Sequence, residues 1–197
     1  MRLGDLCEIR DGLSPNMATH PGEFVMVVPA EDRKTADHWN FEGKAVCIPL
    51  VSSAGHGKAD IKRLHYQEGK FALASTMCAL FVKDEKTINP RYLHIFLSAT
   101  CQELLVPLMC GATNVTMSSG QLSDVMIPVP KPAVQEEVIE SDLITIKAAT
   151  MMDAAASLRD SSSDKDVVQL AETVIRETKR FLKTAKKRVS VSAFLPS

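Results

Sequence analysis

Gly111–Val138 reads GATNVTMSSGQLSDVMIPVPKPAVQEEV and joins three kinds of chain in one place. A Gly/Thr/Asn/Ser loop leads into the apolar run Val125-Met126-Ile127, Pro128, Pro130 and Pro132 follow, and a helical pattern begins at Ala133. Proline fixes φ and lacks an N–H, so alternate prolines favour an extended strut, and a proline just ahead of a helix start costs little. The stretch therefore predicts a stiff boundary between a strand-rich part and a helical part.

Upstream, residues 1–132 predict short strands and loops with a few helical turns. Phe24–Val28 is a continuous apolar run stopped by Pro29, Ala45–Val51 is a second, and Phe71–Val82 is a third after Gly69-Lys70; such runs suit buried strands. Asn89-Pro90 opens Arg91–Leu97, whose apolar residues recur at helical spacing, with a weaker continuation over Gln102–Met109 that bends or stops near Pro107. Downstream of Pro132 glycine disappears. Ile144, Ala148, Met151, Ala155 and Leu158 follow the 4-3-4-3 spacing of a coiled-coil seam. Ser161–Asp164 interrupts it, and Val168, Ala171, Ile175, Thr178, Leu182, Ala185 and Val189 form a second stripe, with Ser163 as the expected N-cap. Two helices of similar length around a short polar turn predict an antiparallel hairpin, with one long interrupted helix as the alternative; either leaves apolar surface for a partner. The class is α+β.

Composition limits the function. The 197 residues carry a net charge of −1, and residues 1–130 hold 12 Lys/Arg against 14 Asp/Glu, so no basic excess announces nucleic acid and local charge must carry that reading. Five widely spaced cysteines without a C-x-x-C predict reduced, core-packed thiols and a cytoplasmic protein. No apolar run approaches a membrane span or a secretion signal.

Catalytic and metal motifs fail on inspection. Asn89-Pro90-Arg91-Tyr92 approximates the loop with which amino-methyltransferases hold a target amine, but no glycine-rich cofactor loop accompanies it, and helix initiation explains it better. Gly55-His56-Gly57-Lys58 ends like a phosphate loop, yet Ser52 replaces the first glycine and Ala59 stands where a hydroxyl must meet Mg²⁺. The five histidines lie at no ligand spacing, and His56 and His65 are expected on loop surfaces. We expect no catalysis, no metal and no cofactor in this chain.

Six segments, in order, resemble the target-recognition domain of type I restriction-modification specificity subunits (HsdS). Leu3-Gly4-Asp5 with Glu8–Pro15 is similar to that family's LGD, strand and G-x-[ST]-P turn. Ala45–Lys58 resembles its buried strand and G-K turn, Gly69–Ser75 its G-K-F-x-x-S, and Ile88–Leu93 its I-N-P-x-Y-L. Gly111-Ala112-Thr113 with Leu122-Ser123-Asp124 and Ile127–Pro130 matches the next, and Gln135–Val138 the last. Ser52–Gly55 departs from the family's acidic or Arg-Asp-Gly turn, and family members usually carry two recognition domains and two helical spacers where this chain has one of each. It resembles half a specificity subunit.

The resemblance implies a DNA target-recognition domain over 1–132, a helical spacer and dimerisation region over 133–190, and a tail over 191–197. It implies partnership with double-stranded DNA, with methyltransferase subunits that carry S-adenosylmethionine, and with restriction subunits where these are present. Phosphate contact needs cations and base readout needs amide or hydroxyl groups on loops, so the expected DNA-binding residues are Arg10, Ser14, Arg33, Lys34, Lys58, Lys62, Arg63, Thr113, Asn114 and Thr116. Ile144, Met151, Leu158, Val168, Ile175 and Leu182 are expected to pair helices in a homodimer. The basic run from Arg176 to Arg188 suits a helix C-terminus better than a DNA patch. The competing expectation is an assembly or regulatory subunit that keeps the fold without reading DNA.

Overall fold

Ala45–Pro49 is buried at every position, as a strand must be when both its faces and both its edges are covered. A computed structural model of the protein describes residues 1–16, 19–30, 34–54 and 57–188, with side chains through residue 180. The expected site residue Arg33, the loop residue His56, the seam residue Val189 and the 191–197 tail lie outside the described residues; for Leu182 and Ala185 only helical backbone is described. The chain divides into two compact units, Met1–Pro132 and Ala133–Ser197.

In the first unit a short helix α1 (Leu3–Leu6) precedes β1 (Cys7–Asp11), β2 (Phe24–Val27), β3 (Lys34–Ala36), β4 (Phe41–Glu42), β5 (Ala45–Pro49), β6 (His65–Gln67), β7 (Lys70–Leu73) and β8 (Met77–Val82). Two four-stranded sheets result, ordered β1-β8-β5-β6 and β3-β2-β7-β4. The first is wholly antiparallel; in the second β2 and β7 run parallel. The apolar run Phe71–Val82, expected as one strand, breaks at Ala74–Thr76 into β7 and β8, which enter different sheets. Phe41 joins the layers: its ring stacks on Phe71 at 5.8 Å and on Phe81 of β8 at 5.9 Å, inside a core that includes Met26, Val27, Leu73 and Met77.

Helix α2 (Pro90–Ala99) begins as the Asn-Pro pair requires. The Asn89 side chain accepts from the Arg91 N–H at 2.9 Å and Pro90 occupies the first turn, where its missing N–H costs nothing. Asn89-Pro90 is thus a helix start. The weaker continuation becomes α3 (Cys101–Leu104) and a 3₁₀ turn at Val106–Leu108 containing Pro107. A single helical turn, α4 (Ser119–Leu122), carries a capping box between Ser118 and Gln121. The Val125–Ile127 run then lies along the chain start: Leu3 N–H donates to Val125 O at 2.8 Å and Ile127 N–H to Met1 O at 2.8 Å.

Cys7, Cys47, Cys78 and Cys101 are buried, and Cys110 is exposed. Burial raises the Cys7 thiol to about 12 and the Cys101 thiol to about 11, so both stay protonated and inert. His65 corrects an expectation: it lies in β6 opposite Cys47 and is 4% exposed, because the 65–67 segment closes the edge of the first sheet.

The second unit contains α5 (Pro132–Ser161) and α6 (Lys165–Arg188). Ile144, Ala148 and Met151 of α5 line a groove of about 390 Å³ with Glu177 and Thr178 of α6, which requires an antiparallel hairpin. The cap of α6 is Asp164, one residue later than expected. Its carboxylate accepts the Asp166 N–H at 2.9 Å, while Ser162 Oγ accepts the Asp164 N–H. Along the seam the small residues Ala148, Ala155 and Ala171 are buried, but Ile144, Met151 and Leu158 stand 47%, 57% and 57% exposed.

Candidate nucleic-acid interface

Strand ends place the loops. Asp11 at the end of β1 pairs with Cys78, and Pro49 at the end of β5 pairs with Met77. In the second sheet the ends of β2 and β7, Val27 and Leu73, pair with each other, and a bridge from Ser14 to Ala74 joins the two sheets there. The loops after β1, β2 and β5 and before β8 therefore emerge at one end of the unit. Contacts thread them together: Lys34 Nζ donates to Asn16 O at 3.5 Å, Asn16 Nδ2 to Thr76 Oγ1 at 3.1 Å, Leu50 N–H to Thr76 O at 2.9 Å and Met117 N–H to Leu50 O at 3.0 Å.

The Gly111–Val115 loop projects from this end on a narrow neck. Cys110 and Thr116 exchange both backbone hydrogen bonds, at 2.8 and 3.0 Å. Gly111 has φ +135°, and a Cβ there would collide with the Asn114 carbonyl, so only glycine closes the neck. Thr116 also bridges to Val51, and the Ser52 N–H donates to Val115 O at 2.9 Å. The result is a cleft of about 420 Å³ lined by Val51, Ser52, Lys58, Thr113, Asn114 and Thr116. The last three are exposed.

Ser52 explains why the neighbouring turn is no phosphate loop. Its hydroxyl donates to Lys58 O at 2.5 Å and accepts the N–H groups of Ala54 and Asp60 at 3.2 and 3.1 Å. Those amides face an internal oxygen instead of an incoming anion. Asp60 completes the staple. Its carboxylate accepts from Gln102 Nε2 at 3.1 Å and from Ser53 Oγ at 3.0 Å, and these two bonds hold its carboxyl below the usual carboxylate range. Beyond this staple lies a second cleft, of about 380 Å³, bordered by Lys62 and Arg63.

Of the ten expected DNA-binding residues, Lys58, Thr113, Asn114 and Thr116 share one cleft, Lys62 and Arg63 share the adjoining one, and Lys34 stands exposed at the same end of the unit. Two are placed otherwise. Arg10 lies on the face of β1, stacked 5.1 Å from the Phe81 centroid and bonded twice to Glu8 at 2.8 and 2.7 Å, so its charge is already answered. Ser14 is 1% exposed, which corrects its assignment to a DNA-facing surface. Its hydroxyl contacts His38 Nε2 at 2.9 Å and accepts from Asn40 Nδ2 at 2.8 Å, and His38 Nδ1 contacts Asp37 at 2.7 Å. The order Asp37-His38-Ser14 imitates a hydrolase triad, but a hydroxyl this buried meets no substrate carbonyl; it locks the first turn to the segment before β4.

Ser52, Asp60, Gln102 and the Asn16–Thr76 contact escaped sequence reading, since their partners lie from 2 to 60 residues away and no spacing announces them. Among the described residues, no group of three or more His, Cys, Asp or Glu could hold a metal ion, and no helix is long and apolar enough to cross a membrane.

The chain is thus a β-rich unit that gathers its polar loops at one end, followed by a helical hairpin. Residues 1–141 match the type I restriction modification DNA specificity domain, and the chain belongs to that family. No curated protein matches it in sequence. Its fold is similar to that of the type I restriction-modification system S subunit from M. genitalium, with a TM-score of 0.60 and 14% identity over 86% of this chain and 47% of that one. It is also similar to the HsdS subunit from Thermoanaerobacter tengcongensis, with a TM-score of 0.53 and 17% identity over 92% of this chain and 44% of that one. The chain spans less than half the length of either.

Proposed function

We propose that this chain is the DNA sequence-specificity subunit of a type I restriction-modification enzyme, reading one half of a split site and docking the methyltransferase subunits and any restriction subunits. It performs no chemistry itself and works in the cytoplasm; S-adenosylmethionine belongs to the methyltransferase partner. The observation that carries this reading is the cleft in which Thr113, Asn114 and Thr116 stand beside Lys58. Hydroxyl and amide groups discriminate base edges, whereas an ammonium holds phosphate and fixes register. The Gly111–Val115 loop is short and closed by a two-bond neck, so little ordering entropy is lost when it meets DNA.

The test is methylation mapping of the chain co-expressed with a partner methyltransferase. Asn114→Ala and Thr113→Ala should each relax site choice, at a cost of roughly 1–3 kcal/mol per lost base contact. Unchanged site choice and rate in both variants would sink the assignment. That outcome would favour the second reading, an assembly or regulatory subunit that binds methyltransferase without reading DNA, which the acidic balance of residues 1–130 supports.

A further inference from the structure

The second cleft differs from the first in chemistry. Lys62, Arg63, His94, Ser98, Cys101 and Gln102 border it, with no carboxylate among the lining residues. Lys62, Arg63, Ser98 and Gln102 are exposed. Its walls are fixed: His94 Nε2 lies 3.3 Å from Leu64 O, the Cys101 thiol reaches Ile61 O at 3.8 Å, and Gln102 is tied to Asp60. The first cleft instead offers neutral hydroxyls and an amide with a single cation.

We propose that the Lys62–Arg63 cleft is a seat for DNA-backbone phosphodiesters, separate from the base-reading cleft; this rests on the reading of the unit as a DNA binder. A guanidinium, an ammonium and a serine hydroxyl that border one cleft match the anionic oxygens of a phosphodiester and carry no information about bases. The segment 58–63 concentrates Lys58, Lys62 and Arg63 against one acid, Asp60, in a unit whose acids otherwise outnumber its bases. Asp60 accepts from Ser53 and Gln102 and lies within electrostatic reach of Lys62, and the same segment supplies one wall to each cleft. A strand whose bases meet Asn114 thereby has a cationic groove beside it. An acidic protein surface is the other partner such a groove could take, but the placement next to the reading loop favours nucleic acid.

The experiment uses the full chain, together with its methyltransferase partner, and random-sequence duplex DNA titrated by fluorescence anisotropy across salt. Each phosphate contact contributes about 0.9 to the slope of log affinity against log salt. Lys62→Gln/Arg63→Gln should therefore flatten that slope by about 1.8, so that raising salt fourfold costs the variant about tenfold less affinity than the unsubstituted chain. Ser98→Glu, on an exposed helical position, should weaken binding of every duplex alike. Neither change should alter which sequence is methylated. An unchanged slope overturns the proposal, and so does loss of methyltransferase association with the slope intact, which would make the cleft a protein seat. If the unsubstituted chain in its complex binds no duplex, the DNA-reading function falls first and this site with it.

Discussion

Asn40 shows at the residue scale how much of the loop-bearing end of the first unit hangs on one amide. Its Oδ1 accepts the N–H of Leu73, a residue with no exposed surface, at 3.1 Å, and its Nδ2 donates to the buried Ser14 hydroxyl at 2.8 Å. Asn40→Ala would strand the Leu73 N–H in the core and leave the Ser14 hydroxyl with His38 alone; leaving a buried donor unsatisfied costs about 1–3 kcal/mol. The single tryptophan, Trp39, is adjacent and belongs to the same unit, so urea unfolding followed by its fluorescence reports the loss directly. An unchanged midpoint would show that the latch is dispensable. Asn114 and Thr113 were legible in the sequence because glycine next to small polar residues marks a loop. Asn40 was not, because a latch is defined by partners 26 and 33 residues distant. Ser14 was misplaced for the same reason: a G-x-S-P turn announces its backbone, while the fate of its hydroxyl depends on the segment before β4.

Elements were read well where one signal was strong and local. The helix start at Asn89-Pro90, the buried strand at Ala45 and the change to helix at Pro132 each rest on residues that dictate their own backbone. The strands β3, β4 and β6 carry two or three residues apiece, too few to show a period, and their existence depends on neighbours that sequence alone does not bring together. Phe71–Val82 looked continuous because both halves are apolar; only the switch between sheets reveals the turn at Ala74–Thr76. The α2 cap offers a quantitative check. Asn89→Ala removes the acceptor for the Arg91 N–H and should cost about 1 kcal/mol, with Asn89→Asp recovering most of it. Thermal melts of the three proteins read this, and equal stability of the alanine variant would mean that Pro90 alone suffices to start the helix.

For the whole molecule the open question is what covers the helices. Ile144, Met151 and Leu158 recur every seventh residue on α5, about half exposed, while the alanines of the same seam are buried. The heptad was legible; that its large members face outward was not, because periodicity locates a stripe without saying which partner it meets. We infer a homodimer formed through the hairpins, in which a two-fold axis sets the same stripe against itself and presents two identical reading units to the halves of a symmetric interrupted site. Fully burying a leucine, isoleucine or methionine side chain contributes about 1.5–3 kcal/mol, and covering the exposed half of each contributes about half of that; six such residues per dimer, about 4.5–9 kcal/mol in all, still exceed the lower estimates, about 4 kcal/mol, of the cost of lost motion on association. Light scattering should return twice 21.5 kDa at micromolar concentration. Ile144→Glu/Met151→Glu/Leu158→Glu should return the single mass, with the helical circular dichroism largely kept because all three positions are exposed. A strict monomer for the unsubstituted chain, alone and with its methyltransferase, would leave one reading unit per molecule and rule out a symmetric split site.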